Sequence, residues 1–387
     1  MGFTAKRMKG ISTHFFTEHQ KRVSRMKAEG IDVIDLDIGS PDLPPPKEVI
    51  DVLAQSAHDP SAHGYQPHIG TTALREAWAS MYRRDFGVEL DPAGQVLPLL
   101  GSKEGIFHLT QALVDPGDVV LLPDPGYPTY LKSTLFAGGV PYFLPLTLEN
   151  DFLPDLDSIP VKVARKAKLI WINYPNNPTA GTAPLSFYRE LVAFARKYQI
   201  LICHDAAYSQ IYFGDPRPPS LLQVPGAAEI GVEFNSLSKS HNMAGWRVAA
   251  AVGNEQALHA LLTLKTNTDS GHFLPVMQAA AAAMTGEQGW RAVRNDRYRA
   301  RLDLVFDRLQ ALGLETRKPE ATFYLWVKTP KGQTSVQFAD RLLEECRISV
   351  APGVVFGEGG EGYIRFSLVQ PLERLTKAVE RLSRLSL

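Results

Sequence analysis

The chain has 387 residues, 44% apolar and 21% charged, the mixture of a folded globular protein long enough for two domains and unlike disordered, collagen-like or coiled-coil chains. Lys plus Arg number 41 and Asp plus Glu number 41, so no overall field draws the chain to nucleic acid or to an anionic membrane. Any anion it binds is held by local groups. The two cysteines, Cys203 and Cys346, supply neither a disulfide framework nor a zinc cluster. No run approaches the roughly 18 apolar residues of a membrane span, and the start MGFTAKRMKG lacks the apolar stretch of a secretory signal. A reducing cytoplasm, no membrane, no nucleic acid and no metal are the expectations.

In chain order, IDVIDLDIG (31–39) reads as an early strand and PDLPPP (41–46) as a linker. From residue 95 onward, β-rich apolar runs alternate with helical patterns, the rhythm of a mostly parallel sheet covered by helices. The expected strands are QVLPLL (95–100), VVLLP (119–123), VPYFLP (140–145), KLIWI (168–172), ILICHD (200–205), VEFN (232–235) and RVAAAVG (247–253). Helices are expected over 104–114, 129–137 and 185–198, with DPGD (115–118) as a turn. After Gly253 come two long helices, 255–284 and 287–312, then FYLWV (323–327), a helix over 336–346, the pair ISVAP and YIRFSLV, and a closing helix from Leu372. The pattern predicts an α/β fold: a large domain with a mostly parallel seven-stranded sheet, and a smaller α+β domain. The expected division is an arm and part of the small domain at 1–45, the large domain at 46–284 and the small domain at 285–387.

Several segments carry chemistry. In SLSKSHNMAGWR (236–247), Lys239 sits among small hydroxyl residues at a strand end. A lysine amine there forms Schiff bases with carbonyl compounds; a solvated surface lysine is the plain alternative. Ser236 and Ser238 add hydroxyl donors and Arg247 a forked cation suited to phosphate. A phosphate beside a Schiff-base lysine points to pyridoxal phosphate. Asp205 ends ILICHD, and the carboxyl ends of strands are where α/β sheets bind ligands. Pyridoxal chemistry needs a carboxylate that keeps the pyridine nitrogen protonated; Asp205 is the best candidate, and a helix cap is its other reading. Tyr208 is either a donor to the ring's phenolic oxygen or a half-buried aromatic.

NYPNNPTAG (173–181) is a turn by its Asn-Pro content, and within it Asn177 is a candidate amide contact to the same oxygen. In LGSKEGIFHL, Gly101 and Ser102 open a helix near Lys103, whose free N–H groups make an anion site. Tyr127, in DPGYPTY, either stacks on a planar cofactor or packs in the core. Arg365, in YIRFSLV, is a cation on a half-buried strand and needs an anion, either a structural Asp or a substrate carboxylate. GEGGEG (357–362) has the spacing of a dinucleotide loop, but it precedes a strand and its glutamates repel a pyrophosphate, so it is rejected. A Walker A loop, an H-E-x-x-H pair and a G-x-S-x-G elbow are all missing.

Taken in order, GSKEG, DPGYP, NYPNNPTAG, HDAAY, SLSKSHNMAGWR and YIRFSL resemble the motif series of the class I aminotransferases, pyridoxal phosphate enzymes of fold type I, over nearly the whole chain. The resemblance implies that Lys239 is the Schiff-base lysine, Asp205 the partner of the pyridine nitrogen, and Asn177 and Tyr208 the pair on the phenolic oxygen. It implies a phosphate cup of Ser102, Lys103, Ser236, Ser238 and Arg247, a ring stacked on Tyr127, and a substrate carboxylate gripped by Arg365 and the Gly39 backbone. Tyr65, in HGYQPHIG, matches a tyrosine that crosses to the other subunit's phosphate, which implies a homodimer with shared sites. VEFNSLSKSHNMAGWR, LGSKEGIFHL, KTNTDSG and ATFYLWV most resemble the branch of LL-diaminopimelate and alanine aminotransferases. Aspartate and aromatic aminotransferases are more distant. The chain departs from diaminopimelate enzymes where these commonly carry a tyrosine near the start, offering Phe15 and Phe16 instead. The implied reaction passes an amino group between an L-amino acid and a 2-oxo acid, with glutamate and 2-oxoglutarate as a family pair. A carbon-sulfur β-lyase uses the same residues and is the rival within the cofactor class. A transcription regulator is disfavoured, since no basic module precedes residue 31.

Overall fold

The structure is a computed structural model that describes residues 3–8 and 15–385; the side chains of Phe15 and Phe16 lie outside the described part. In chain order the strands are β1 (Ile34–Leu36), β2 (Val96–Leu99), β3 (Val119–Asp124), β4 (Val140–Pro145), β5 (Ala167–Asn173) and β6 (Leu201–Asp205). They continue with β7 (Gly231–Ser236), β8 (Ala249–Gly253), β9 (Tyr324–Lys328), β10 (Ile348–Pro352) and β11 (Tyr363–Ser367). Seven of them form one sheet in the order β2-β8-β7-β6-β5-β3-β4. All neighbours between β7 and β4 pair in parallel, whereas β8 is antiparallel to both β7 and β2. Only β8 therefore runs against the rest.

The central strands are near-continuous apolar runs because both faces of the sheet are covered. Alternate residues feed opposite cores: Leu121, Ile170, Ile202 and Val252 face one cluster, while Val120, Trp171, Cys203 and Phe234 face the other. The second sheet has the order β1-β10-β11-β9. β1 joins it parallel to β10, with Ile34 opposite Ile348, so the early strand IDL belongs here as expected. Its apolar face packs with Leu302, Val305, Phe338 and Leu375 from three helices. This is the α/β plan with a smaller α+β part that the sequence predicts.

Two differences from the sequence pattern have physical causes. The helix expected over 255–284 is two helices, Glu255–Lys265 and Leu274–Thr285. Between them TNTDSG is a run of turn formers, and a Cβ at Gly271 would lie 2.7 Å from the carbonyl oxygens of both Gln66 and Pro67. The chain bends there to seat the 66–67 loop. Conversely, the helices Phe15–Ala28, Lys47–Ala57 and Thr72–Phe86 occupy a stretch to which the pattern assigns no helix. The third carries readable ends, since the Thr71 hydroxyl accepts from the Leu74 amide at 3.3 Å and Gly87 closes the helix at φ 66°.

The rejected GEGGEG segment forms short turns before β11. The Gly359 amide donates to the Asp124 carboxylate at 3.0 Å, and the Gly126 amide donates to the Phe356 carbonyl at 2.7 Å. A Cβ at Gly357 would collide with the Asp124 carboxylate. The segment is a close-packed seam between the end of β3 and the second sheet.

Under the large sheet, Glu233 of β7 is fully buried. It accepts from Tyr82 Oη at 2.8 Å, Ser220 Oγ at 3.0 Å and the Leu221 amide at 2.9 Å, and its carboxylate lies 2.9 Å from His204 Nδ1. Glu233→Ala would leave all four groups without their acceptor, and chemical denaturation of that variant should show a loss of about 3–5 kcal/mol.

Candidate active site

The strand directions decide where the functional residues meet. β2, β3, β5, β6 and β7 run the same way, so their carboxyl ends deliver Ser102, Tyr127, Asn177, Asp205 and Lys239 to one edge of the sheet. β8 runs oppositely, so the residues just before it, including Arg247, arrive at that same edge. The edge opens into a cavity of about 650 Å³. Gly39, Ser102, Lys103, Tyr127, Asn177, Asp205, Tyr208, Lys239 and Arg365 all line it.

Asp205 lies at the floor, 6% exposed. Tyr130 Oη donates to its Oδ2 at 2.8 Å, and the Ala207 amide donates to Oδ1 at 3.3 Å. Burial raises its pKa, an effect opposed by the Tyr130 hydrogen bond, the Ala207 amide and the nearby His204 and Lys239. The Ala207 contact is the local cap that an aspartate at a strand end can make. The carboxylate still faces the cavity with only weak neighbours, and a ring N–H⁺ would give it the cation it lacks. Asn173 Nδ2 donates to the Asp205 carbonyl at 2.6 Å and its Oδ1 accepts the Asn177 amide at 2.8 Å, which ties the loop after β5 to the end of β6.

Lys239 follows β7 in the four-residue helix Leu237–Ser240. Its ammonium donates to the Gly39 carbonyl. Loss of hydration, then the charges of Arg365 and Arg247, push its pKa down to about 8, against the opposing pull of Asp205. It is a half-buried amine in the cavity wall, not a solvated surface lysine.

Arg365 is 4% exposed on β11. Its neighbours Ile364 and Phe366 enter the opposite, apolar face, as alternation requires. Nη1 donates to Asn177 Oδ1 at 2.5 Å and Nη2 to the Asp37 carbonyl at 2.5 Å. The guanidinium lies between the rings of Tyr324 and Phe356, 4.3 Å and 4.8 Å from their centroids. Nε is buried without a partner, and none of the described carboxylates pairs with the group. A structural Asp does not fill the role; an anion from outside fits it. Because arginine only donates, the contact fixes Asn177 with Oδ1 toward Arg365 and leaves Nδ2 free to donate elsewhere. Tyr208 Oη lies 2.8 Å from Tyr324 Oη.

The cup for an anion forms where the helix Ser102–Leu113 begins. Gly101 has φ 93° and no side chain to cap the helix, so the first amides stay free. A Cβ at Gly101 would collide with the Arg247 guanidinium, which lies directly over that turn. Ser236 and Ser238 are buried beside it, with Ser236 Oγ accepting the Ser238 amide at 3.2 Å. Glu104 Oε2 accepts the Leu100 amide at 3.1 Å and fixes the turn from behind. Glu104, His108 and Asp269 cluster there around the buried Lys265 ammonium, which is 2.6 Å from Asp269 Oδ1. Free amides, hydroxyls and a cation suit a phosphate dianion, and the buried Asp205 and the half-buried Lys239 line the same cavity. The residues present fit pyridoxal phosphate. Tyr65 stands apart: it is 96% exposed and does not line the cavity.

Sequence reading missed Tyr130 and Tyr324. Tyr130, stacked at 5.2 Å on Trp171, lies three residues beyond Tyr127 in DPGYPTY. Its helical spacing placed it below the cavity, but only the fold shows its hydroxyl meeting Asp205 across 75 residues of chain.

The profile of the aminotransferase class I and II family matches residues 31–382. The chain belongs to that family and is a pyridoxal phosphate-dependent aminotransferase. It is 48% identical over 380 residues to the LL-diaminopimelate aminotransferase of Moorella thermoacetica, covering 98% of this chain and 97% of the relative. With the LL-diaminopimelate aminotransferase of Aquifex aeolicus it shares 48% over 382 residues, 98% of each chain. Among solved structures, apo-BacF from Bacillus subtilis superposes with a TM-score of 0.96 at 38% identity, covering 100% of this chain and 99% of that one. Among the described residues no helix is long and apolar enough to cross a membrane.

In the cofactor-free chain the Lys239 amine should become reactive as pH rises through about 8, because burial and two cations hold its pKa there. Rapid acylation at a series of pH values, read by peptide mapping, should give that midpoint. A midpoint at the ordinary lysine value would refute the burial argument.

Proposed function

We propose that the chain transfers the amino group of LL-diaminopimelate or alanine to 2-oxoglutarate, or runs the reverse with glutamate, in amino-acid biosynthesis. The observation that carries this reading is similarity at 48% identity to LL-diaminopimelate aminotransferases along almost the whole length of both chains. Pyridoxal 5′-phosphate, when bound, supplies the electron sink that makes the substrate Cα proton labile. Lys239 is the amine that holds the cofactor and then moves the Cα proton through Nζ, a task suited to a lysine whose pKa is brought near neutrality. Asp205 keeps the pyridine nitrogen charged, and Asn177 and Tyr208 face the phenolic oxygen. Ser102, Lys103, Ser236, Ser238 and Arg247 hold the phosphate, the first two through backbone amides, while Tyr127 stacks on the ring.

Arg365 binds the substrate α-carboxylate together with the Gly39 backbone. Support comes from the absence of a carboxylate partner among the described residues and from a forked guanidinium whose Nε is buried without a partner, a donor set that a point-charge lysine would not reproduce. Two separate sheets, each with its own apolar cluster, support a division near 1–45, 46–284 and 285–387. Buried free thiols at Cys203 and Cys346 support a reducing cytoplasm.

A half-reaction panel tests the substrate. Each amino acid is mixed with holoenzyme and the loss of cofactor absorbance is followed. LL-diaminopimelate or alanine should react fastest, with glutamate also active; a preference for aspartate or aromatic donors would move the chain to those aminotransferases. Release of pyruvate and ammonia from cystathionine without added keto acid would identify a β-lyase.

The chain is further proposed to act as a homodimer in which Tyr65 completes the partner's phosphate cup. Its near-complete exposure in the single chain supports this, since an isolated tyrosine ring in water serves no packing role. Tyr65→Phe and Lys239→Ala chains, each nearly inactive, should regain activity on subunit exchange, because one site of each hybrid keeps both residues. No recovery in a mixture shown by mass to contain hybrids would remove Tyr65 from the shared site.

A further inference from the structure

The helix Trp290–Ala311 carries an arginine that the reaction scheme leaves unused. Arg294 is 2% exposed, and no described carboxylate pairs with it. Its guanidinium contacts only neutral acceptors. Nη1 donates to the Ser240 carbonyl and, at 3.3 Å, to the Lys239 carbonyl. Nη2 donates to the Gln210 carbonyl at 2.7 Å and to Asn295 Oδ1 at 3.0 Å, and Nε reaches the same Asn295 oxygen at 3.2 Å. Its Cζ lies 5.2 Å from the Trp290 ring centroid. Burial pushes its pKa down to about 10, which still leaves it charged near neutral pH.

A buried cation without an anion is a costly way to stabilise a fold. What this one accomplishes is geometric. The helix Leu237–Ser240 is only four residues long, so its last carbonyls have no N–H donors within the helix. The fork of Arg294 satisfies two of them and, with its other arm, a carbonyl two residues beyond Tyr208. The ends of β6 and β7 are thereby joined through one rigid plane. Gln210 is itself held at its side chain, where Arg291 Nη1 donates to Oε1 at 2.9 Å, and Asn295 Nδ2 adds a second donor to its carbonyl at 3.2 Å. A lysine amine sits at the end of a long flexible stem. The backbone from which it starts has to be fixed if Nζ is to meet one reacting carbon.

We propose that Arg294 is a positioning residue that clamps the backbone of Lys239 to the turn bearing Tyr208, and so sets where the reacting amine and the ring's phenolic contact stand relative to each other. This rests on the reading of Lys239 as the cofactor-bearing amine. Displacement by about an ångström is enough to cost a reaction roughly 100-fold, so loosening the clamp acts on turnover more than on binding of substrate, which Arg365 holds from another strand.

The test compares Arg294→Gln and Arg294→Lys with Arg297→Gln, an exposed arginine on the same helix. Each holoenzyme is measured for cofactor content, for visible circular dichroism per bound cofactor, and for kcat and KM separately. Arg294→Gln should keep its cofactor but lose much of the dichroic signal, and its kcat should fall roughly 10- to 100-fold with KM little changed. Arg294→Lys, which retains a donor and the charge, should recover part of both losses, and Arg297→Gln should match the parent. The clamp is refuted if Arg294→Gln keeps its dichroism and kcat, or if activity falls only in step with lost cofactor and Arg294→Lys rescues nothing. Should the glutamine variant fail to fold, the same kcat-against-KM split and dichroism in Arg294→Lys decide the matter. Borohydride reduction and peptide mapping of the parent separate the two readings: a label on any lysine but Lys239 overturns the site assignment itself, while a label on Lys239 with unaltered Arg294 variants overturns the clamp alone.

Discussion

Asp205, Lys239 and Arg365 are three ionisable groups held in one cavity without pairing with one another. Placed in contact, the acid and either base would neutralise each other and close the site. Neutral groups keep them apart: Tyr130 and an amide on Asp205, a carbonyl on Lys239, and a carbonyl and an asparagine oxygen on Arg365. The unspent electrostatics are available to a ligand that brings a phosphate, a protonated ring nitrogen and a carboxylate, and the rest of the fold serves to hold that separation.

The large sheet achieves this by direction. Five parallel strands deliver their carboxyl ends to one edge, and the single reversed strand brings Arg247 back to it instead of away. Had β8 run with its neighbours, the segment before it would have reached the far side of the sheet. The buried Glu233 and His204 pair beneath β6 and β7 keeps those two strands in register with the helix Thr72–Phe86, so the floor under Asp205 is tied to the body of the large domain.

Much of this was legible in the sequence, for a physical reason. Strands buried on both faces are apolar runs, and the loops after them concentrate Gly, Pro, Asn and Ser, so the seven strands and the residues at their ends stand out within two positions of where they lie. Lys239, Asp205, Asn177 and Arg365, which the structure brings to one cavity, could be singled out as candidates because each follows or occupies such a strand. Tyr130, Tyr324 and Arg294 escaped, since each lies where a helix or strand pattern expects packing and its polar end meets a partner distant in sequence. The helix break at 266–273 escaped for a related reason. Its turn-forming composition is visible, but the approach of the 66–67 backbone that occupies the bend is not.

The seam at GEGGEG bears on how this chain can change over generations. Gly357 lies against a carboxylate, and a Cβ at Gly353 would collide with the carbonyl of Gly360, so backbone meets backbone where the second sheet leans on the end of β3. Phe356, one residue away, forms a wall of Arg365's slot, and Tyr127 follows the same β3 end. A side chain added at either glycine would push the slot around Arg365 away from Tyr127. Substitution is thus disfavoured at the joint and better tolerated at half-buried positions of the cavity wall such as Lys132 and Phe136. New substrate preferences can arise there while the seam between the two sheets stays as it is.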